Sequence, residues 1–129
     1  MIRRLLQSLF CGMLLCTMFV VPSVSAAPAT PEELDQYWAW MVEARELYPY
    51  KEPVEKMWSV MMCESGANAT IISRNGLYHG LFQYHKRTWA GKWNPYREES
   101  IFDAKSQIFA TAKAWSEGYQ SWWGCYKRR

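Results

Sequence analysis

PVEKMWSVMMCESG (53–66) runs directly into ANATIISRNGLYHGLFQY (67–84), and the change of pattern between the two segments decides the fold. In the first, Val54, Met57, Trp58 and Met61 recur at helical spacing behind Pro53, which suits a first turn, and Gly66 suits a helix C-terminus. The second is rich in β-branched and aromatic residues and carries Asn75-Gly76, the strongest short hairpin signal. A helix over 53–66 and a small, irregular β-hairpin or loop excursion over 69–84 are predicted. Glu64 then sits in the last turn of an apolar helix.

The flanking segments are helical. Thr30-Pro31-Glu32-Glu33 reads as a capped start with a capping box closed by Glu33. That helix runs to Tyr48, before Pro49, with Tyr37, Trp40, Met41, Ala44 and Leu47 on its apolar face. Lys86 to Trp93 reads as a short helix broken by Asn94-Pro95. A last helix is expected from Ser100, with Asp103 at the capping-box position, to Gly118. Its buried stripe is Ile101, Ala104, Ile108, Ala112 and Trp115. Lys127 to Arg129 reads as a frayed basic end. The fold class is α+β: a small domain, mostly helical, with one short β element.

Residues 1–26 read as a secretion signal. Arg3 and Arg4 precede the apolar run Leu5 to Val21, Pro22 breaks it, and Val24-Ser25-Ala26 offers a cleavage site. The alternative is an uncleaved anchor, for which the run is short. The expected organisation is a signal peptide over 1–26, a linker and helix over 27–52, and the main domain over 53–129. The expected location is secreted, periplasmic or at the cell wall, with no stable membrane span after cleavage.

Without Arg3 and Arg4 the chain keeps 13 basic and 12 acidic side chains. They are unevenly spread, with 3 basic and 8 acidic over 27–64 and 10 basic and 4 acidic over 65–129. The basic half fits either attraction of an anionic polymer or a solvated mixed surface. No basic and aromatic pattern matches a nucleic-acid module, so no nucleic-acid partner is expected. All eight tryptophans follow residue 37, which fits a Trp-rich core or a sugar-binding groove.

Cys11 and Cys16 leave with the signal. Cys63 and Cys125 remain, and in an oxidising compartment they form one disulfide. With no CxxC, no HExxH and only two histidines, neither a metal nor another cofactor is expected.

Glu64 is the candidate catalytic acid on physical grounds. Met61, Met62 and a disulfide sulfur would desolvate it, which raises a carboxyl pKa, and a helix C-terminus acts in the same direction. A protonated carboxylic acid near neutral pH is what glycoside cleavage needs at the leaving oxygen. The alternative is an ordinary surface glutamate at a helix end.

The motif around it adds information. Cys63-Glu64-Ser65-Gly66-Ala67-Asn68, then Asn75-Gly76-Leu77-Tyr78-His79-Gly80-Leu81-Phe82-Gln83, then Thr88-Trp89 resembles the lysozyme-like transglycosylase superfamily. The likeness is to the resuscitation-promoting-factor branch, and GLFQ is similar to the GLMQ of soluble lytic transglycosylases. With Gln107-Ile108, Gly118 and Trp122-Trp123-Gly124-Cys125 the resemblance extends over residues 55–126. It implies a cleft between a helical and a small β part, Glu64 as single catalytic acid, Ser65 supporting it, and Tyr78 and Gln83 holding the glycan. Trp89 would pack beneath the site, and Cys63 would pair with Cys125. Ala67, Ala69 and His79 depart from the family pattern, and His79 and His85 read as cleft residues or bystanders.

The implied activity is cleavage of the MurNAc-GlcNAc β-1,4 bond of peptidoglycan, with glycan strands as partner and a monomer as the working unit. Cell-wall enzymes or assembly proteins are compatible further partners. No Asp or Glu lies between Glu64 and Glu98, which fits a one-acid transglycosylase. If Glu98, Glu99 or Asp103 folded back to the cleft, a two-carboxylate hydrolase would fit instead. A non-catalytic glycan-binding module with a degenerate site is the reading from another class.

Overall fold

A computed structural model describes residues 27–128. The expected signal segment 1–26, with Cys11 and Cys16, and Arg129 lie outside the described residues. The elements are helices α1 (Pro31–Leu47), α2 (Val54–Ser65), α3 (Lys86–Trp89) and α4 (Ala104–Ser116), the strands β1 (Tyr78–His79) and β2 (Tyr84–His85), and two 3-10 turns, Gln120–Trp122 and Gly124–Lys127. This is a mostly helical α+β domain. Among the described residues no helix is long and apolar enough to cross a membrane.

The capping box of α1 is formed: Thr30 Oγ1 accepts from Glu33 N at 3.2 Å and Glu33 Oε2 accepts from Thr30 N at 2.8 Å. Tyr37, Met41 and Ala44 are buried, but Leu47, expected on the same face, is 58% exposed at the end of the helix. α1 packs on α4 and, less extensively, on α2. Its residues and those of α2 share one core with the rest of the chain.

α4 starts later than expected and is buried on more than one face. It begins at Ala104, because Asp103 itself is the N-cap: Oδ2 accepts from Ser106 N at 2.8 Å. Ser100 instead closes a local turn, accepting from Phe102 N at 3.2 Å. Nine of its 13 residues are buried, so α4 is the central post of the domain and not a one-faced helix. α3 is shorter than expected. Trp93 Nε1 donates to the Thr88 carbonyl at 3.0 Å and Asn94 Nδ2 to the Trp89 carbonyl at 2.9 Å. Those side chains take the acceptors a longer helix would use.

The β excursion contains two reversals. Asn75-Gly76 turns the chain so that Ser73 N donates to Tyr78 O at 2.9 Å and Ile72 bridges His79. The strands proper then pair antiparallel, Tyr78 with His85 and His79 with Tyr84, around Gly80–Gln83. α4 holds this second turn. Gln107 accepts from Phe82 N at 2.8 Å and donates to His79 O at 2.9 Å and to Ile101 O. Gly80 has φ +75°, and a Cβ there would lie 2.9 Å from Gln107 Cδ and 3.0 Å from Ile101 O, so only glycine fits.

The core is aromatic. Trp89, Trp115 and Trp123 are buried, and buried Tyr84 meets the rings of Trp89, Trp93 and Trp123. The tail is ordered through Lys127, not frayed. Cys63 and Cys125 are bonded, with Cα atoms 5.9 Å apart.

Candidate active site

A cleft of about 690 Å³ opens between the C-terminal end of α2, the β excursion and the tail. Buried Tyr84 and Trp123 form its floor. Tyr78 and Trp122, 42% and 44% exposed, stand at its rim. Gln83, His85 and Thr88 line the β side, and Gly124, Cys125 and Arg128 line the tail side. Glu64 faces this space from the last turn of α2.

α2 delivers Glu64 because Met57, Val60 and Met61, at i−7, i−4 and i−3 on the same face, are buried and turn that face inward, and Gly66, with φ +61°, caps the helix two residues after Glu64. Burial raises the pKa of Glu64 above the ordinary carboxylate range. The Cys125 N–H, donating to Oε1 at 3.4 Å, and the charge of Arg128 oppose that shift without cancelling it. No basic residue lies in the last turn of α2.

Among the described residues no other carboxyl lines the cleft. Glu98 points to solvent beside Arg97, its side chain 90% exposed. Asp103 is occupied as the α4 cap. Glu52 is buried, but its carboxylate accepts from Tyr126 Oη at 2.6 Å and Gln120 Nε2 at 3.2 Å.

Gln83 sits in a left-handed conformation, φ +52°, unusual for a residue with a side chain. Its Nε2 donates to Gly80 O at 2.9 Å and Ile71 O at 3.4 Å, which leaves Oε1 as the acceptor available to a ligand. His85 Nδ1 accepts from Arg87 N at 3.1 Å, so the ring proton is on Nε2 and the histidine is a donor.

Of the sequence-predicted residues, Glu64, Tyr78, Gln83 and Cys125 meet at the cleft. Ser65 does not line it: its hydroxyl donates to Met61 O at 3.2 Å within α2. Trp89 lies behind the wall, donating to Glu99 O at 3.1 Å and packing edge-on against Tyr84. Arg128 was expected in a loose end, yet it lines the cleft. Its signal was indirect: Cys63 precedes Glu64, so a Cys63–Cys125 bond brings whatever follows Cys125 near the acid. Ala67, at a position where the resembled family has glycine, has φ +62°, the conformation glycine adopts most readily.

Among the described residues no group of three or more His, Cys, Asp or Glu stands together to hold a metal ion. Compared with protein-family models, with curated proteins and with solved structures, the chain matches none.

Proposed function

We propose that this protein is an exported lytic transglycosylase that cleaves the MurNAc-GlcNAc β-1,4 bond of peptidoglycan with Glu64 as its single acid. The observation that carries the reading is one half-buried carboxyl, held above its ordinary pKa, alone of its kind in a cleft walled by aromatic rings. The ordered motif from Cys63 to Trp89 supplies the substrate class, by resemblance.

In this mechanism protonated Glu64 gives its proton to the glycosidic oxygen, the bond to the muramyl C1 breaks, and GlcNAc leaves with a free 4-hydroxyl. The sugar left behind is oxocarbenium-like. The Glu64 carboxylate then takes the proton of the C6 hydroxyl as that oxygen bonds to C1, giving a 1,6-anhydro muramyl end and restoring protonated Glu64. An intramolecular nucleophile needs orientation from the protein and no second carboxylate. Exposed Tyr78 and Trp122 offer faces to pyranose rings, and Gln83 Oε1 and the His85 ring N–H offer an acceptor and a donor to their amides and hydroxyls.

The test is digestion of purified peptidoglycan with the oxidised protein and mass spectrometry of the products, beside a Glu64→Gln control. Anhydro-muramyl ends that vanish in the control are expected. Reducing muramyl ends would make the enzyme a hydrolase, and a folded sample that releases nothing would make it a binding module.

A further inference from the structure

Glu52 is a buried carboxylate with no part in the mechanism above, in the link between α1 and α2. We infer that Glu52 is a positioning residue for Glu64. By accepting the Tyr126 hydroxyl and the Gln120 amide, it fixes the turn Gly124–Lys127 so that the Cys125 N–H and the Arg128 guanidinium face the Glu64 carboxyl.

The disulfide ties Cys125 to Cys63, and buried Trp123, donating to Phe82 O at 2.9 Å, holds the chain just before it; the residues after Cys125 need an anchor of their own. Tyr126 is the next residue. Its hydroxyl donates to Glu52 Oε1 at 2.6 Å, its ring meets Trp115 edge-on at 5.4 Å, and Lys56 Nζ lies 5.1 Å from the ring centroid. Gln120, on the preceding turn, donates to both Glu52 oxygens at 3.3 and 3.2 Å and to Trp115 O at 3.0 Å. Glu52 itself is held where it is, because Arg45 Nε donates to its carbonyl at 2.9 Å. Two adjacent residues of the tail are thus fixed to two different parts of the fold, and that sets the direction of the Cys125 N–H.

The charges around each group agree with this arrangement. At Glu52, burial pushes the pKa up, but hydrogen bonds from Tyr126, its own backbone and Gln120, with Lys51 nearby, bring it net below the ordinary range, so it is a carboxylate acceptor at neutral pH. At Glu64 the opposing influences are the Cys125 N–H and Arg128, both on the tail. Lys56 also donates to Arg128 O at 3.3 Å. A buried ion is weak evidence for stability, since an apolar replacement is often as stable. Fixing one geometry is the role the contacts describe.

This inference rests on Glu64 being the acid of the proposed reaction, but its test does not. Tyr126→Phe and Glu52→Gln are made with the disulfide intact, and the Glu64 carboxyl is titrated by carbon-13 NMR, its resonance assigned with Glu64→Gln. Both variants are expected to raise the Glu64 midpoint by about half a pH unit, since its two stabilising partners drift while the disulfide keeps it covered. The high-pH limb of peptidoglycan cleavage should rise with it. A variant that melts earlier while the midpoint stays unmoved overturns the inference and makes Glu52 a stability residue only. A lowered midpoint also overturns it, because the tail would then act by covering Glu64. A raised midpoint in a protein that cleaves nothing supports the positioning role and sinks the transglycosylase reading instead.

Discussion

The main-chain N–H of Cys125 donates to the carboxyl of Glu64 at 3.4 Å, although 61 residues separate them in sequence. The contact is long for a hydrogen bond to a carboxylate. It therefore moderates the rise in the Glu64 pKa without abolishing the effect of burial, which keeps that pKa raised.

That balance predicts a stability effect of opposite sign to the activity effect. The folded pKa of Glu64 lies above the unfolded one. Its favourable contribution is then fully present below about pH 4.3 and is lost as pH rises through the folded value. Glu64→Gln escapes that loss and keeps an acceptor for the Cys125 N–H. The variant should melt above the parent at pH 7, and the two curves should converge below about pH 4. Its peptidoglycan cleavage should fall by about 10²- to 10⁴-fold. Thermal melts from pH 3 to 8 check the first statement. A variant less stable than the parent at pH 7 would mean that burial of Glu64 does not oppose its charge.

Reduction of the Cys63–Cys125 bond opens a loop with a sequence separation of 62. In the chain-entropy view this costs about 4 kcal/mol of stability. Function should fail first, because α1 and α4 hold one another through their own buried faces while Trp122 to Arg128 reach the cleft through the tail. Under mild reduction, cleavage should be lost while far-ultraviolet circular dichroism still reports the helices. Simultaneous loss of both signals would show the tail to be part of the cooperative core.

Gln83 combines a strained backbone with a site side chain. At φ +52° an alanine keeps the strain and a glycine relieves it. Gln83→Gly should be more stable than Gln83→Ala by about 1 kcal/mol. Both should weaken cleavage to a similar degree, because both remove the amide. Urea melts of the pair read the backbone difference with the side chain already gone. Equal stabilities would mean that the left-handed backbone at residue 83 carries no strain.

Much of the architecture was legible in local chemistry. Thr30-Pro31-Glu32-Glu33 specifies a helix start because its capping partners are three residues apart, and the helical spacing of Val54, Met57, Trp58 and Met61 specified the inward face of α2, on which Met57 and Met61 are buried and Val54 and Trp58 partly so. Asn75-Gly76 specified a reversal. The ends of α3 and α4 were not legible, because they depend on which of several competent polar side chains reaches a carbonyl or amide first. Asp103 won over Ser100, and Trp93 with Asn94 stopped α3 early.

The same division runs through the site. Local chemistry made Glu64 a candidate, since an acid at the end of an apolar helix is a property of neighbouring residues, while Tyr78 and Gln83 were implied only by the resemblance of the ordered motif. The cysteines of the described residues are Cys63 and Cys125, and the structure joins them. What covers Glu64, which donors face it and how far its proton affinity moves were decided only by the tertiary structure. Those properties belong to Arg128, the Cys125 amide, Trp122 and, behind them, Glu52 and Tyr126. Each is far from Glu64 along the chain or separated from it by a helix. Desolvation and Coulomb interactions act through distance in space, which a pattern of neighbouring residues does not encode.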